Sequence, residues 1–139
     1  MTCKVEYIDH DADAGIIVEA NTLRDLFRCS ALAMLDIILD RKKIESKTTR
    51  IISIGASSVD LLLVKFLSAI LGEAQIEGFG VFDVEIGEMN ETAVVAELSG
   101  KKGIPPGAIK TEIKLVTYHQ LDVHRDEDGK WHARVIFDL

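Results

Sequence analysis

Apolar positions along the chain alternate between two periods, and each change of period marks an element. Val5, Tyr7 and Ile8 belong to a short extended segment over residues 3–9, and Ile16-Ile17-Val18 opens a strand over about residues 15–20. From Leu23 the spacing becomes helical: Leu26, Phe27, Ala31, Met34, Leu35 and Ile38 fall on one face for roughly four to five turns. Asn21 or Thr22 caps this helix, with Asp25 completing a capping-box-like start, and Arg41-Lys42-Lys43 follow as a solvated end that suits the helix dipole. Thr48–Gly55 reads as a strand. Ser57 caps a second helix with Asp60 in its first turn, and Val59, Leu62, Leu63, Phe66, Leu67, Ile70 and Leu71 form its dense stripe, which fades near Gln75. It is the most apolar segment, so it is expected against the sheet.

From Gly80 the period becomes two, with Phe82, Val84 and Ile86 alternating against Asp83 and Glu85. A turn at Met89-Asn90-Glu91 leads into a return strand over residues 92–98. Ser99 to Gly107 reads as the clearest loop, residues 111–123 as one strand, Asp128-Gly129 as a hairpin turn, and residues 130–139 as a last strand with Trp131, Ala133, Val135 and Phe137 inward. The order β-β-α-β-α-β-β-β-β predicts an α+β two-layer sandwich, two helices packed on a mixed or antiparallel sheet. At 139 residues the chain is expected to be a single domain, 1–139.

The formal net charge of -7 argues against a protein that grips nucleic acid through a general basic surface, and fits a metal site or a basic partner. Cys3 and Cys29 suggest neither a disulfide framework nor a zinc knuckle; Cys29 reads as a small apolar packer, and a reducing cytoplasm is the default. The N-terminus lacks the apolar core of a signal peptide, and the longest apolar run is too short to span a bilayer, so no membrane association is expected.

The candidate chemistry lies in Asp9-His10-Asp11-Ala12-Asp13-Ala14-Gly15, where three carboxylates alternate at the entry to a strand. Such a cluster is relieved by a divalent cation or a basic partner. It is not an EF-hand: counting from Asp9, the sixth position is Ala14 and the twelfth Ala20, where that loop needs Gly and Glu. Nor do the helices carry the histidines of an all-helical metal phosphohydrolase. His119, His124 and His132 read as surface or half-buried strand residues rather than ligands. Neither the serines nor Cys29 form a nucleophile constellation. Asp138 precedes the terminal Leu139; if that end meets the acidic turn, Asp9, Asp13, Asp138 and the terminus form an oxygen-rich pocket, whereas a frayed end forms none.

Four motifs in register carry a likeness. His10-x-Ala12-Asp13-x-Gly15, Thr22-Leu23-x-x-Leu26-Phe27, Glu112-Ile113-Lys114-x-x-Thr117-Tyr118-His119 and Trp131-x-Ala133-x-x-x-x-Asp138-Leu139 resemble the archease family over the full chain. The resemblance implies a non-enzymatic accessory protein of an RtcB-type RNA ligase in tRNA splicing or RNA repair. Such a protein promotes guanylylation of the ligase histidine and multiple turnover. It further implies a divalent metal, calcium first and magnesium or manganese as alternatives, held by Asp13, Asp138 and Leu139. Asp9, Asp13, Lys114 and Asp138 match positions implicated in ligase activation, with His10 and Asp11 beside them. Asp11 stands where the family usually has Thr, and Asn21 where some relatives have Asp. The implied state is a cytoplasmic protein, a monomer in the simplest case, without strong nucleic-acid binding of its own. Two other readings of the same carboxylates stay open: a metal-dependent phosphoester hydrolase, and a metal-free acidic module of chaperone-like kind.

Overall fold

A computed structural model describes residues 3–139. Its elements are β1 (Cys3–Asp9), β2 (Asp13–Ala20), α1 (Leu23–Ile38), β3 (Thr48–Gly55), α2 (Val59–Gln75), β4 (Phe79–Met89), β5 (Ala93–Lys102), β6 (Leu115–Val116), β7 (Asp122–Arg125) and β8 (Trp131–Asp138). The strands make two sheets, one ordered β1-β2-β8-β6 with β7 also on β8, the other β3-β5-β4. Every pairing is antiparallel. The fold is thus an α+β sandwich, with two antiparallel sheets in place of one mixed or antiparallel sheet.

The helices join the sheets. α1 packs on β2 and β4, and α2 on β3 and β4. Their inner faces meet at Phe27 and Phe66, whose ring centroids lie 5.4 Å apart. Both rings, with Ile16, Leu35, Leu67, Val84 and Phe137, are fully buried in one apolar cluster spanning both sheets. The helical stripes read from spacing are the stripes that are buried, because a face of apolar residues is stable only when another layer covers it. Thr22 caps α1, its hydroxyl accepting the Asp25 backbone N–H at 3.1 Å.

Several local expectations change. Ser58, not Ser57, is the N-cap of α2; its hydroxyl donates to the Asp60 carboxylate rather than accepting a backbone N–H. β5 runs through residues 99–102, which the Gly-Lys-Lys composition marks as loop, because β3 and β4 flank it there. The predicted strand over residues 111–123 divides. Gln75 at the end of α2 satisfies both backbone groups of Ile113, donating to its carbonyl at 2.6 Å and accepting its N–H at 2.9 Å, so a helix rather than a strand pairs that residue. The Thr117 hydroxyl donates to Ile136 O at 2.9 Å, Gln120 takes a left-handed φ of 51°, and the chain turns before β7. Arg41 is not a free helix end: it bonds Asp36 at 2.7 Å and the Phe82 carbonyl at 2.7 Å.

Cys3 and Cys29 form a disulfide, with Cα atoms 6.6 Å apart. This corrects the reading of two unpaired thiols. The pairing of Cys3 with Ala20 puts it on the helix side of β1, opposite α1, a proximity that sequence spacing does not reveal. Cysteine usage therefore no longer argues for a reducing compartment. Among the described residues, no helix is long and apolar enough to cross a membrane.

Candidate metal centre

β2 and β8 come from the two ends of the chain, and their register decides what lies beside the acidic turn. Asp13 stands directly opposite Asp138, followed by Ala14 opposite Phe137 and Gly15 opposite Ile136. Opposed residues of an antiparallel pair project to the same face, with Cβ atoms about 4.5–5.5 Å apart. The Ala14–Phe137 row is buried, so the Asp13–Asp138 row lies on the outer face. Gly15 permits this closeness, since a Cβ there would lie 3.0 Å from the Val135 carbonyl and 2.8 Å from Ile136 Cδ1.

The chain end is tied rather than frayed. The Leu139 N–H donates to Ala12 O at 3.1 Å, the Lys114 N–H to Asp138 O at 2.7 Å, and the His10 N–H to Asp13 O at 3.0 Å. Asp13 is half-buried, while Asp9, His10, Asp11, Lys114 and Asp138 are exposed. Among the described residues no basic group comes within ion-pair distance of Asp9, Asp11, Asp13 or Asp138. Two facing carboxylates are a hard-oxygen donor pair, and such oxygens fit calcium, magnesium or manganese.

The expected site residues share one end of the sheet but not one face. Asp9 pairs with Ala14, so strand alternation puts it on the helix side, away from the Asp13–Asp138 row. Lys114 is also separate from that row. It lines a cavity of about 790 Å³ between the C-terminal ends of α1 and α2, among Leu39, Leu71, Ile76, Ile109 and Ile113. Ile76 and Ile109 keep 83% and 59% of their surface exposed, so the cavity has an apolar rim beside the acidic tip.

A second group of donors lies elsewhere on the outer face. Glu19, Asp126 and His132 hold one ligating atom each, all within 4.8 Å of one another, and could accommodate a metal ion. Glu19 of β2 stands opposite His132 of β8, and His124 of β7 opposite His132. His132 Nε2 is 2.6 Å from Asp126 Oδ2 and 3.9 Å from Glu19 Oε1. The hydrogen bond from His132, with two from backbone N–H groups, holds the Asp126 carboxyl below its usual range. Of the three histidines expected as surface or half-buried strand residues, His119 and His124 are exposed and His132 is half-buried, and His132 joins this group. The signal is the cross-strand register, which periodicity does not contain.

The model of the archease protein family (MTH1598/TM1083) matches residues 5–139. The chain belongs to the archease family. Among curated members of the family, a protein archease of Methanosarcina barkeri is 37% identical over 139 residues, covering 96% of this chain and 94% of the relative. That of Methanosarcina acetivorans is 33% identical, covering 98% and 96%. The solution structure of Methanobacterium thermoautotrophicum protein 1598 superposes with a TM-score of 0.79 at 29% identity, covering 97% of this chain and 98% of that one. An archease crystal structure from Thermotoga maritima, called a "possible chaperone", gives 0.69 at 19% identity and shares the fold, covering 95% and 94%.

Proposed function

We propose that this archease is a non-enzymatic activator of an RtcB-type RNA ligase in tRNA splicing or RNA repair, acting in the cytoplasm through its acidic tip. The observation that carries the proposal is the register that sets Asp13 against Asp138, with Leu139 tied to Ala12 beside them. The ligase as partner is what the archease resemblance of the four motifs implies. The exposed apolar rim at Ile76 and Ile109 supports a protein as that partner.

In this reading the Asp13 and Asp138 carboxylates, with oxygens of the terminal Leu139, hold a divalent cation, most simply calcium. The cation supplies positive charge where phosphate groups gather during nucleotidyl transfer. The chain's own residues do the remaining work. Asp13 is fixed by β2, Asp138 is held between β2 and the Lys114 segment, and the tight turn presents His10 and Asp11 at the tip. Lys114 and Asp9, on the other side of the sheet end, meet the ligase around the cation rather than binding it.

The test is multiple-turnover RNA ligation by a cognate ligase. Wild-type protein raises turnover, and a chelator or Asp138→Ala removes most of the gain. Full stimulation by both Asp13→Ala and Asp138→Ala counts against the tip. Phosphoester turnover by the protein alone with manganese favours the hydrolase reading instead.

A further inference from the structure

We infer that Glu19, Asp126 and His132 form a second metal site, for a borderline transition ion such as zinc or cobalt(II), distinct from the hard-oxygen tip. The inference stands independently of the ligase reading.

Glu19 lies six residues along β2 from Asp13, roughly 20 Å at about 3.3 Å per residue, so one ion cannot serve both places. Glu19, His132 and His124 form one row across β2, β8 and β7, on the outer face of the sheet. Asp126 enters from the β7–β8 turn, where Oδ1 accepts backbone N–H groups of Asp128 at 2.9 Å and Lys130 at 3.0 Å. Those bonds fix the carboxylate and leave Oδ2 aimed at His132. Glu19 is held more loosely: Lys4 Nζ lies 3.7 Å from Oε2 as an exposed ion pair, and Oε1 faces the imidazole at 3.9 Å. The His132 ring stacks on His124 at 4.9 Å and 11°, while His124 Nδ1 bonds Asp122 Oδ2 at 2.8 Å. Asp126 and His132 are therefore oriented before an ion arrives, and Glu19 stands beside them.

One imidazole nitrogen and two carboxylate oxygens are a mixed donor set, which suits zinc, cobalt or nickel and gives calcium little. An ion about 2.0–2.2 Å from each donor sets neighbouring donors about 3.4 Å apart in a tetrahedral site. The 2.6 Å contact of His132 with Asp126 must open and the 3.9 Å gap to Glu19 must close, each by less than 1 Å. The ion takes the place of the proton between Nε2 and Oδ2. The displaced proton moves to Nδ1 where that nitrogen is bare, and leaves to solvent where Nδ1 already carries one. Three protein donors leave at least one position for water or for a group from a partner.

The experiment uses the full chain stripped with chelator and titrated with cobalt(II), followed by visible absorption and by the imidazole NMR resonances. One equivalent of cobalt is expected to bring up d–d bands and shift the His132 ring protons. Zinc removes the d–d bands and replaces the paramagnetic ring shift by a smaller diamagnetic one, and excess calcium does neither. His132→Gln weakens binding by at least about tenfold, since the loss of even a supporting partner costs that much. Asp138→Asn leaves the His132 ring shift unchanged. Cobalt binding lost in Asp138→Asn but kept in His132→Gln overturns the site, as do His132 resonances unmoved by cobalt and zinc. If His132→Gln fails to fold, the ring shift in the wild-type protein decides.

Discussion

Asp60 receives the Ser58 hydroxyl and, at 2.9 Å, the Leu61 backbone N–H on one carboxylate oxygen. The hydroxyl bond is the larger cause that holds its carboxyl below the usual range. A carboxyl depressed in the folded state stabilises the fold above its unfolded pKa of about 3.9, and that stability is lost as pH falls through the folded value. Asp60→Ala is therefore expected to cost about 1 kcal/mol at pH 7, as a lost first-turn cap. The difference from wild type should shrink below about pH 4, read by urea denaturation across pH. An equal difference at pH 2.5 and pH 7 would contradict the assignment. The acid was legible in the sequence as a first-turn residue of α2. Its partner was misplaced by one position, because Ser57 and Ser58 offer the same chemistry and only backbone geometry separates them.

The free edge of β4 shows how elements are locked together. Its carbonyls at Phe82, Val84 and Ile86 accept from Arg41, Arg28 and Arg24 in turn, all from α1 or the turn after it. Arg28 reaches Val84 O at 2.7 Å through Nε and Asp83 at 2.8 Å through a terminal nitrogen. An open strand edge invites pairing with other chains, and these arginines cover it. Arg28→Ala should destabilise by about 2 kcal/mol in urea unfolding. Arg28→Lys should restore only part, since an ammonium cannot span both acceptors as a planar fork does. Full recovery by lysine would reduce the contact to simple charge. Periodicity located α1, α2, β3 and β8 well, since each buries one regular face. It failed over residues 111–123, where Gln75 supplies the partner for Ile113 and Gln120 turns the chain. The split into two sheets was likewise hidden, because alternation says which face is buried and not which strand lies alongside.

The two chain ends meet because β8 pairs with β2, and the Cys3–Cys29 disulfide pins β1 to α1 on the other side of that sheet. The bond closes 26 residues, worth about 3 kcal/mol by the loop-entropy argument, so reduction should lower the melting temperature by roughly 10 °C. Identical melting with and without reductant would show that the bond does not form in solution. The acidic turn was legible because its residues are adjacent in sequence, and the register of β2 with β8 brings Asp138 opposite Asp13. The division of Asp9 and Asp13 between faces was not, since it depends on where β1 and β2 register. Guanylylation of a cognate ligase with a sub-stoichiometric amount of this archease isolates what the tip does. With calcium present the wild-type chain should drive many ligase molecules to the guanylylated state, and Asp13→Ala or Asp138→Ala should leave the ligase near its unassisted level. Undiminished guanylylation with both variants would contradict the role given to the facing carboxylates.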